Sequence, residues 1–216
     1  LLKNHHVSLE IGTGTQPMLA RAVGPTLANF NVNGALADPR LSLVNGSTSI
    51  SVNDNWLATD AATIAATGAF ALNPGSKDAA LVATLGAGAY TAPVSATDGG
   101  SGVALLEVYD AASSSTLSLV NASTRARVGT GDSVLIPGFV ISGSGSLKLL
   151  VRAVGPALSS FGVTDALADP TLTLYRGTTV LATNDNWSSA ANAAELAATT
   201  TAVGAFALTT GSRDAA

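Results

Sequence analysis

The sequence predicts an all-β protein: two tandem β-sandwich modules of jelly-roll or immunoglobulin-like type, with short helical turns. Three observations carry this. First, a block recurs at fixed spacing. Arg21-Ala22-Val23-Gly24-Pro25, Ala37-Asp38-Pro39 and Asn53-Asp54-Asn55-Trp56 return 131 residues later as Arg152-Ala153-Val154-Gly155-Pro156, Ala168-Asp169-Pro170 and Asn184-Asp185-Asn186-Trp187. Second, short stretches alternate apolar with small polar residues, the period of a half-buried strand. Third, glycine-rich breaks such as Asp98-Gly99-Gly100-Ser101-Gly102 separate these stretches.

Taken in order, Val-Gly-Pro at 23–25 and 154–156 predicts a short turn, because proline after glycine starts a helix rather than continuing one. Residues 41–44 and 49–52 alternate around Asn45-Gly46 and read as a hairpin with a type I′ turn, φ positive at both central positions. The second repeat keeps the design at 172–175 and 180–183, around Arg176-Gly177. Residues 60–67 are alanine-rich and predict a helix, with Thr59 as cap and Gly68 as stop. Its counterpart at 190–202 is predicted about one turn longer. Gly68-Ala69-Phe70-Ala71-Leu72 returns only after 136 residues, as Gly204-Ala205-Phe206-Ala207-Leu208, so an insertion precedes it. Further strands are predicted at 79–84, 90–95, 103–109, 117–120, 125–128, 134–141 and 147–153.

The repeat places the first module at 1–110, a small-residue linker at 111–117 and the second module at 118–216. The ends are out of phase. Gly211-Ser212-Arg213-Asp214-Ala215-Ala216 matches Gly75-Ser76-Lys77-Asp78-Ala79-Ala80, after which the first module has two more strand signals and the second has none. The second module is therefore expected to lack its last strands. The chain is either a piece of a longer array or is completed by a neighbouring chain, since an incomplete sandwich presents an unpaired edge.

Composition excludes several functions. Charged residues make up 11%, net charge is −4 and the ten Lys and Arg are scattered, which argues against nucleic-acid binding. Mean hydropathy is +0.38, yet no apolar run approaches the roughly 20 residues of a membrane span. Cysteine is absent, which excludes disulfides, thiolate metal sites and a cysteine nucleophile. No secretory signal pattern opens the sequence. His5 and His6 are adjacent and make a poor chelate, because neighbours on a strand point to opposite faces. Glu10, Glu107 and Glu195 fall at non-equivalent positions, and no nucleophile-elbow pattern is present, so no enzyme activity is expected.

Some motifs remain as site candidates. Asn53, Asp54, Asn55 and their counterparts Asn184, Asp185, Asn186 could offer oxygens to Ca²⁺, against the alternative of an Asx turn ending a hairpin; no other cofactor is expected. Trp56 and Trp187 read as core or end plugs. Arg21 with Asp38, and Arg152 with Asp169, are structural candidates that pair with each other or bond loop carbonyls. Asn45-Gly46-Ser47, Asn121-Ala122-Ser123 and Asn186-Trp187-Ser188 fit the glycosylation triplet, and the Ser/Thr clusters at 113–116 and 199–201 suit O-glycans. An isopeptide crosslink is disfavoured, since Lys77 becomes Arg213.

Two resemblances add to this. The runs Leu150-Val151-Arg152-Ala153-Val154-Gly155-Pro156, Phe161-Gly162-Val163, Leu167-Ala168-Asp169-Pro170-Thr171-Leu172-Thr173-Leu174-Tyr175 and Asn184-Asp185-Asn186-Trp187 resemble a repeat of very large secreted bacterial proteins. Gly75-Ser76-Lys77-Asp78-Ala79-Ala80-Leu81, Gly86-Ala87-Gly88-Ala89-Tyr90-Thr91 and Gly102-Val103-Ala104-Leu105-Leu106-Glu107-Val108-Tyr109-Asp110 continue it. The chain is similar, more weakly, to jelly-roll modules appended to secreted peptidases. The first resemblance implies an extracellular or cell-surface repeat protein without catalytic residues. The expected function is a structural subunit of an extracellular fibre or surface layer, self-associating into a homopolymer by strand complementation. The alternatives are an adhesin or carbohydrate-binding stalk, with an exposed aromatic platform, and an accessory domain of a secreted hydrolase.

Overall fold

The computed structural model describes residues 5–112, 119–141 and 145–216. Residues 113–117 of the predicted linker at 111–117, the Ser/Thr cluster at 113–116 and most of the glycine-rich break at 142–145 lie outside the described residues. The chain divides into two compact units, Leu1–Pro137 and Gly138–Ala216. Its strands form antiparallel sheets and its helices are few and short.

The first unit is organised by two long strands, β1 (His5–Val23) and β4 (Ala79–Ala96), paired antiparallel from Ala22↔Ala79 to His5↔Val94. The hairpin β2 (Pro39–Asn45) and β3 (Thr48–Asn53) joins β4 at its C-terminal half. On the other edge of β1, β5 (Leu105–Asp110) pairs with residues 18–23 and β6 (Leu119–Arg125) with residues 6–11. Residues 119–125, which the repeat assigns to the start of the second module, thus pair inside the first unit.

A bulge lies between Ile11 and Thr15, opposite Gly86 and Gly88. Above it, Ile11, Tyr90 and Ala92 enter the core; below it, Met18, Ala20, Ala22, Ala79, Leu81 and Leu85 do. Both strands exchange odd for even positions at the same level, so one apolar face stays continuous through the irregularity. Leu41 and Leu43 of β2 pack into this same cluster. The opposite face of the lower half carries Leu19 and Val23, covered by Leu27, Leu72 and Ile64. Ile64 belongs to α1 (Ala61–Ala66), which ends at Gly68 with φ +76°, as the stop signal predicts. Asp60, not Thr59, stands at its N-cap position.

The β2–β3 hairpin corrects one expectation. Asn45 pairs with Thr48, so the loop is Gly46-Ser47, and only Gly46 has positive φ. A register shift at Leu43/Val44 moves the turn one residue on, and the type I′ geometry is not adopted.

Both Val-Gly-Pro segments open 3₁₀ turns, Pro25–Phe30 and Pro156–Phe161. A Cβ on Gly24 would stand 2.1 Å from the Leu36 carbonyl oxygen, and one on Gly155 would stand 2.0 Å from that of Leu167. The glycine is required by close backbone approach in both repeats. Gly24→Ala is expected to cost the first unit about 2–4 kcal/mol, read as a shift in urea midpoint at unchanged slope.

In the second unit, β7 (Leu172–Arg176) and β8 (Thr179–Asn184) form a separate two-stranded sheet, and α2 (Ala193–Ala202) is longer than α1, as the insertion predicts. The predicted strands at 134–141 and 147–153 are not formed among the described residues. Their counterpart in the first unit is β1, which forms by pairing with β4. Here only an isolated bridge, Ala153↔Ala215, repeats the Ala22↔Ala79 rung. A strand exists only with a partner, and alternation alone does not supply one.

Candidate functional site

In each unit one recurring aspartate is buried at the start of the 3₁₀ turn. In the first unit it is Asp78, fully buried. Its Oδ1 accepts the N–H groups of Gly24 (2.7 Å) and Thr26 (3.3 Å). Its Oδ2 accepts the hydroxyls of Thr26 (2.5 Å) and Ser76 (2.5 Å). The carboxylate thus fixes the backbone donors that a turn N-terminus leaves open, and four donors offset its desolvation. The Asp78 carbonyl accepts Trp56 N–H at 2.7 Å, and Asn53 Oδ1 accepts Ala80 N–H at 3.0 Å. One short segment therefore ties the turn, the hairpin and β4 together.

The second unit rebuilds this knot around Asp214 without the two hydroxyl bonds to Oδ2. Oδ1 accepts Gly155 N–H (2.8 Å) and Ala157 N–H (3.3 Å), Trp187 N–H bonds the Asp214 carbonyl (2.9 Å), and Ala216 N–H bonds Asn184 (3.1 Å). Ala157 stands where the first repeat has Thr26. Asp214 Oδ2 and Ser212 Oγ are buried without a hydrogen-bond partner.

Beside each knot lies an arginine on an aromatic pair. Arg21 is fully buried; its guanidinium donates to the Phe70 carbonyl (2.6 Å), pairs with Glu107 and stacks on Phe70 at 4.5 Å. Phe30 meets Phe70 edge-on at 4.8 Å. Arg152 repeats the carbonyl bond (to Phe206, 2.7 Å) and the stack (4.4 Å), with Phe161 against Phe206 at 4.9 Å. Among the described residues no carboxylate pairs with it as Glu107 does with Arg21, and burial lowers its pKa against the opposing charge of Asp214. Of the two predicted options for the arginines, the loop carbonyl is taken. The aspartates pair elsewhere: Asp38 with Lys77 (2.5 Å) and Asp169 with Arg213 (2.8 Å). The Asp38 hydrogen bond and charge raise the Lys77 pKa.

Tyr109 donates to Glu107 at 2.6 Å. Burial, then that hydrogen bond and the Glu107 charge, push its phenol up to about 12, with Arg21 opposing. An unfolded tyrosine titrates near 10. The folded state therefore holds the proton more tightly, and this stability, intact below pH 10, is lost as pH rises towards 12. Absorbance titration is expected to show a late phenol that disappears in Tyr109→Phe.

In the first repeat the Asn53–Asn55 motif is tied up in local bonds. Asn53 Nδ2 donates to the Asn55 carbonyl (2.9 Å) and Asn55 Nδ2 to Asp54 (3.1 Å), an arrangement of turn bonds. Among the described residues no cluster of three His, Asp or Glu side chains is placed to hold a metal. Trp187 is 8% exposed and Trp56 half-buried. Both indole N–H groups are bonded, Trp56 to the Asn73 carbonyl and Ser76, Trp187 to the Thr209 carbonyl. His5 and His6 lie on β1 opposite Val94 and Pro93.

No family model, curated protein or solved structure matches the chain.

Two cavities accompany these features. One of about 250 Å³ in the first unit is apolar, lined by Trp56, Ile64, Ala65, Leu72 and Pro74. One of about 130 Å³ in the second lies between Lys148, Leu150, Asn192 and Leu196, beside the Lys148–Glu195 ion pair. No helix is long and apolar enough to cross a membrane among the described residues.

Sequence reading missed Asp78, whose signal is its return as Asp214 inside Gly-Ser-Lys/Arg-Asp-Ala-Ala.

Proposed function

We propose that the chain is a structural subunit of an extracellular fibre or surface layer, assembled from tandem β-sandwich repeats whose sheets are completed by strand complementation. One observation carries this reading. Every charged or amide side chain that recurs as Arg21/Arg152, Asp38/Asp169, Asn53/Asn184 and Asp78/Asp214 is bonded within its own unit. Repetition here preserves architecture, and repeated architecture suits a polymer of similar bricks.

The adhesin reading asks for an exposed aromatic platform. Indoles that are half-buried or buried and hydrogen-bonded favour the structural reading over it. Electron microscopy of the purified chain at rising concentration is the test. Filaments or sheets of regular repeat are expected; discrete monomers at all concentrations would sink the proposal.

A further inference from the structure

We infer that the second unit binds one buried water molecule beside Ala157, in the place that the Thr26 side chain fills in the first unit. The water completes the Asp214 knot, and the site stands whether or not the chain polymerises.

The bonds that the two knots share have nearly equal lengths. The aspartate Oδ1 accepts the glycine N–H at 2.7 and 2.8 Å, and the N–H two residues on at 3.3 Å in both. The tryptophan backbone N–H reaches the aspartate carbonyl at 2.7 and 2.9 Å. The carboxylate is therefore held in the same attitude. Oδ2 of Asp214 faces the place that the Thr26 hydroxyl takes beside Asp78.

What differs is one side chain at the centre. In the first unit the Thr26 hydroxyl donates to Asp78 Oδ2 (2.5 Å) and accepts the Asn73 N–H (3.0 Å). Ser76 donates to the same Oδ2 (2.5 Å) and accepts the Trp56 indole N–H (3.2 Å). In the second repeat Ala157 stands for Thr26 and Thr209 for Asn73. Three polar groups are left over together. Asp214 Oδ2 and Ser212 Oγ are buried and have no partner within the chain. The Thr209 N–H finds no hydroxyl on Ala157, and the Trp187 indole bonds the Thr209 carbonyl instead of Ser212. In the first unit residues 24–26, 56 and 73–78 satisfy one another. Each has its counterpart in the second, so the lost hydroxyl is the cause.

Size and chemistry both select water. Threonine to alanine removes a hydroxyl and a methyl, about the 30 Å³ that a water takes up in the liquid. A buried water typically makes about three hydrogen bonds, and three groups are offered. The water accepts from the Thr209 N–H, as the Thr26 hydroxyl does from Asn73. It donates one hydrogen to Asp214 Oδ2 and the other to Ser212 Oγ. A calcium ion takes about six to eight oxygens, far more than one carboxylate oxygen and one hydroxyl supply. An apolar guest would leave all three groups unpaired in a buried site.

The test counts long-lived buried waters in the full chain by oxygen-17 relaxation dispersion of the solvent. Ala157→Thr is expected to lower the count by one, and Thr26→Ala to raise it by one. Ala157→Ser supplies the hydroxyl without the methyl and should also lower the count by one, which keeps the test sound if threonine does not fit. Release of the water should raise the folded-to-unfolded ratio of the second unit in Ala157→Thr by up to about 30-fold. Trp187 fluorescence in a Trp56→Phe background reads that ratio in urea. Counts unchanged in both Ala157 variants would overturn the inference. So would a loss of stability confined to the second unit when sodium is replaced by choline, which would assign a cation to the site.

Discussion

Asp78→Ala is expected to destabilise the first unit by about 4 kcal/mol. The substitution leaves two backbone N–H groups and two hydroxyls without their acceptor in a fully buried site, and each such orphan costs about 1–3 kcal/mol before relaxation. Asp78→Asn keeps one acceptor oxygen and should cost roughly half as much. The second repeat is an internal control. Asp214 uses Oδ1 alone, its Oδ2 lacking a partner, so Asp214→Ala should cost about 1–2 kcal/mol. Because the two units need not unfold together, each must be followed separately. Each carries one tryptophan, so urea unfolding by fluorescence in Trp187→Phe and Trp56→Phe backgrounds resolves them. Equal losses for Asp78→Ala and Asp214→Ala would refute the account of the knot.

Arg21→Ala is expected to cost the first unit about 3–5 kcal/mol, the range for removing one partner of a buried ion pair. Glu107 loses its counter-charge, the Phe70 carbonyl loses its donor, and the Phe70 ring loses the cation stacked on it. Arg21→Lys should recover only part of this, since a point charge cannot serve the carbonyl, the carboxylate and the ring in one plane. Arg152→Ala should cost no more than about 2 kcal/mol, because Arg152 is half-buried and bonds a carbonyl without a carboxylate partner. The contrast between Arg21 and Arg152 reads the combined effect of Glu107 and of deeper burial.

The elements legible in the sequence were those whose signals are local. The hairpins were marked by glycine between alternating runs, and the helices by alanine ending at Gly68 and Gly204. β1 was not legible: its bulge at 12–14 interrupts the alternation, and Pro17 sits inside it, a residue that argues against a strand. Residues 79–84 and 90–95 read as two strands because Gly86 and Gly88 resemble a break, whereas they lie opposite the bulge in one continuous β4. Residues 147–153 carry a strand pattern but no strand, because pairing is decided by a segment distant in sequence. At the site, Arg21 and Trp56 stood out by rarity. Asp78 did not, since its role depends on burial and on four donors from two segments, residues 24–26 and Ser76.

The pairing of β1 has a consequence for how the chain acquires its fold. β1 precedes each strand it pairs with: its lower half pairs from Ala79 onward, its upper half from Gly88, and β6 closes its edge from Leu119 to Arg125. Few contacts form between near neighbours in sequence, and such topologies fold slowly because loop closure precedes the contacts that repay it. During synthesis the opening strand must wait unpaired while the chain lengthens, and it is in this interval that the protein is most open to pairing with the wrong strand.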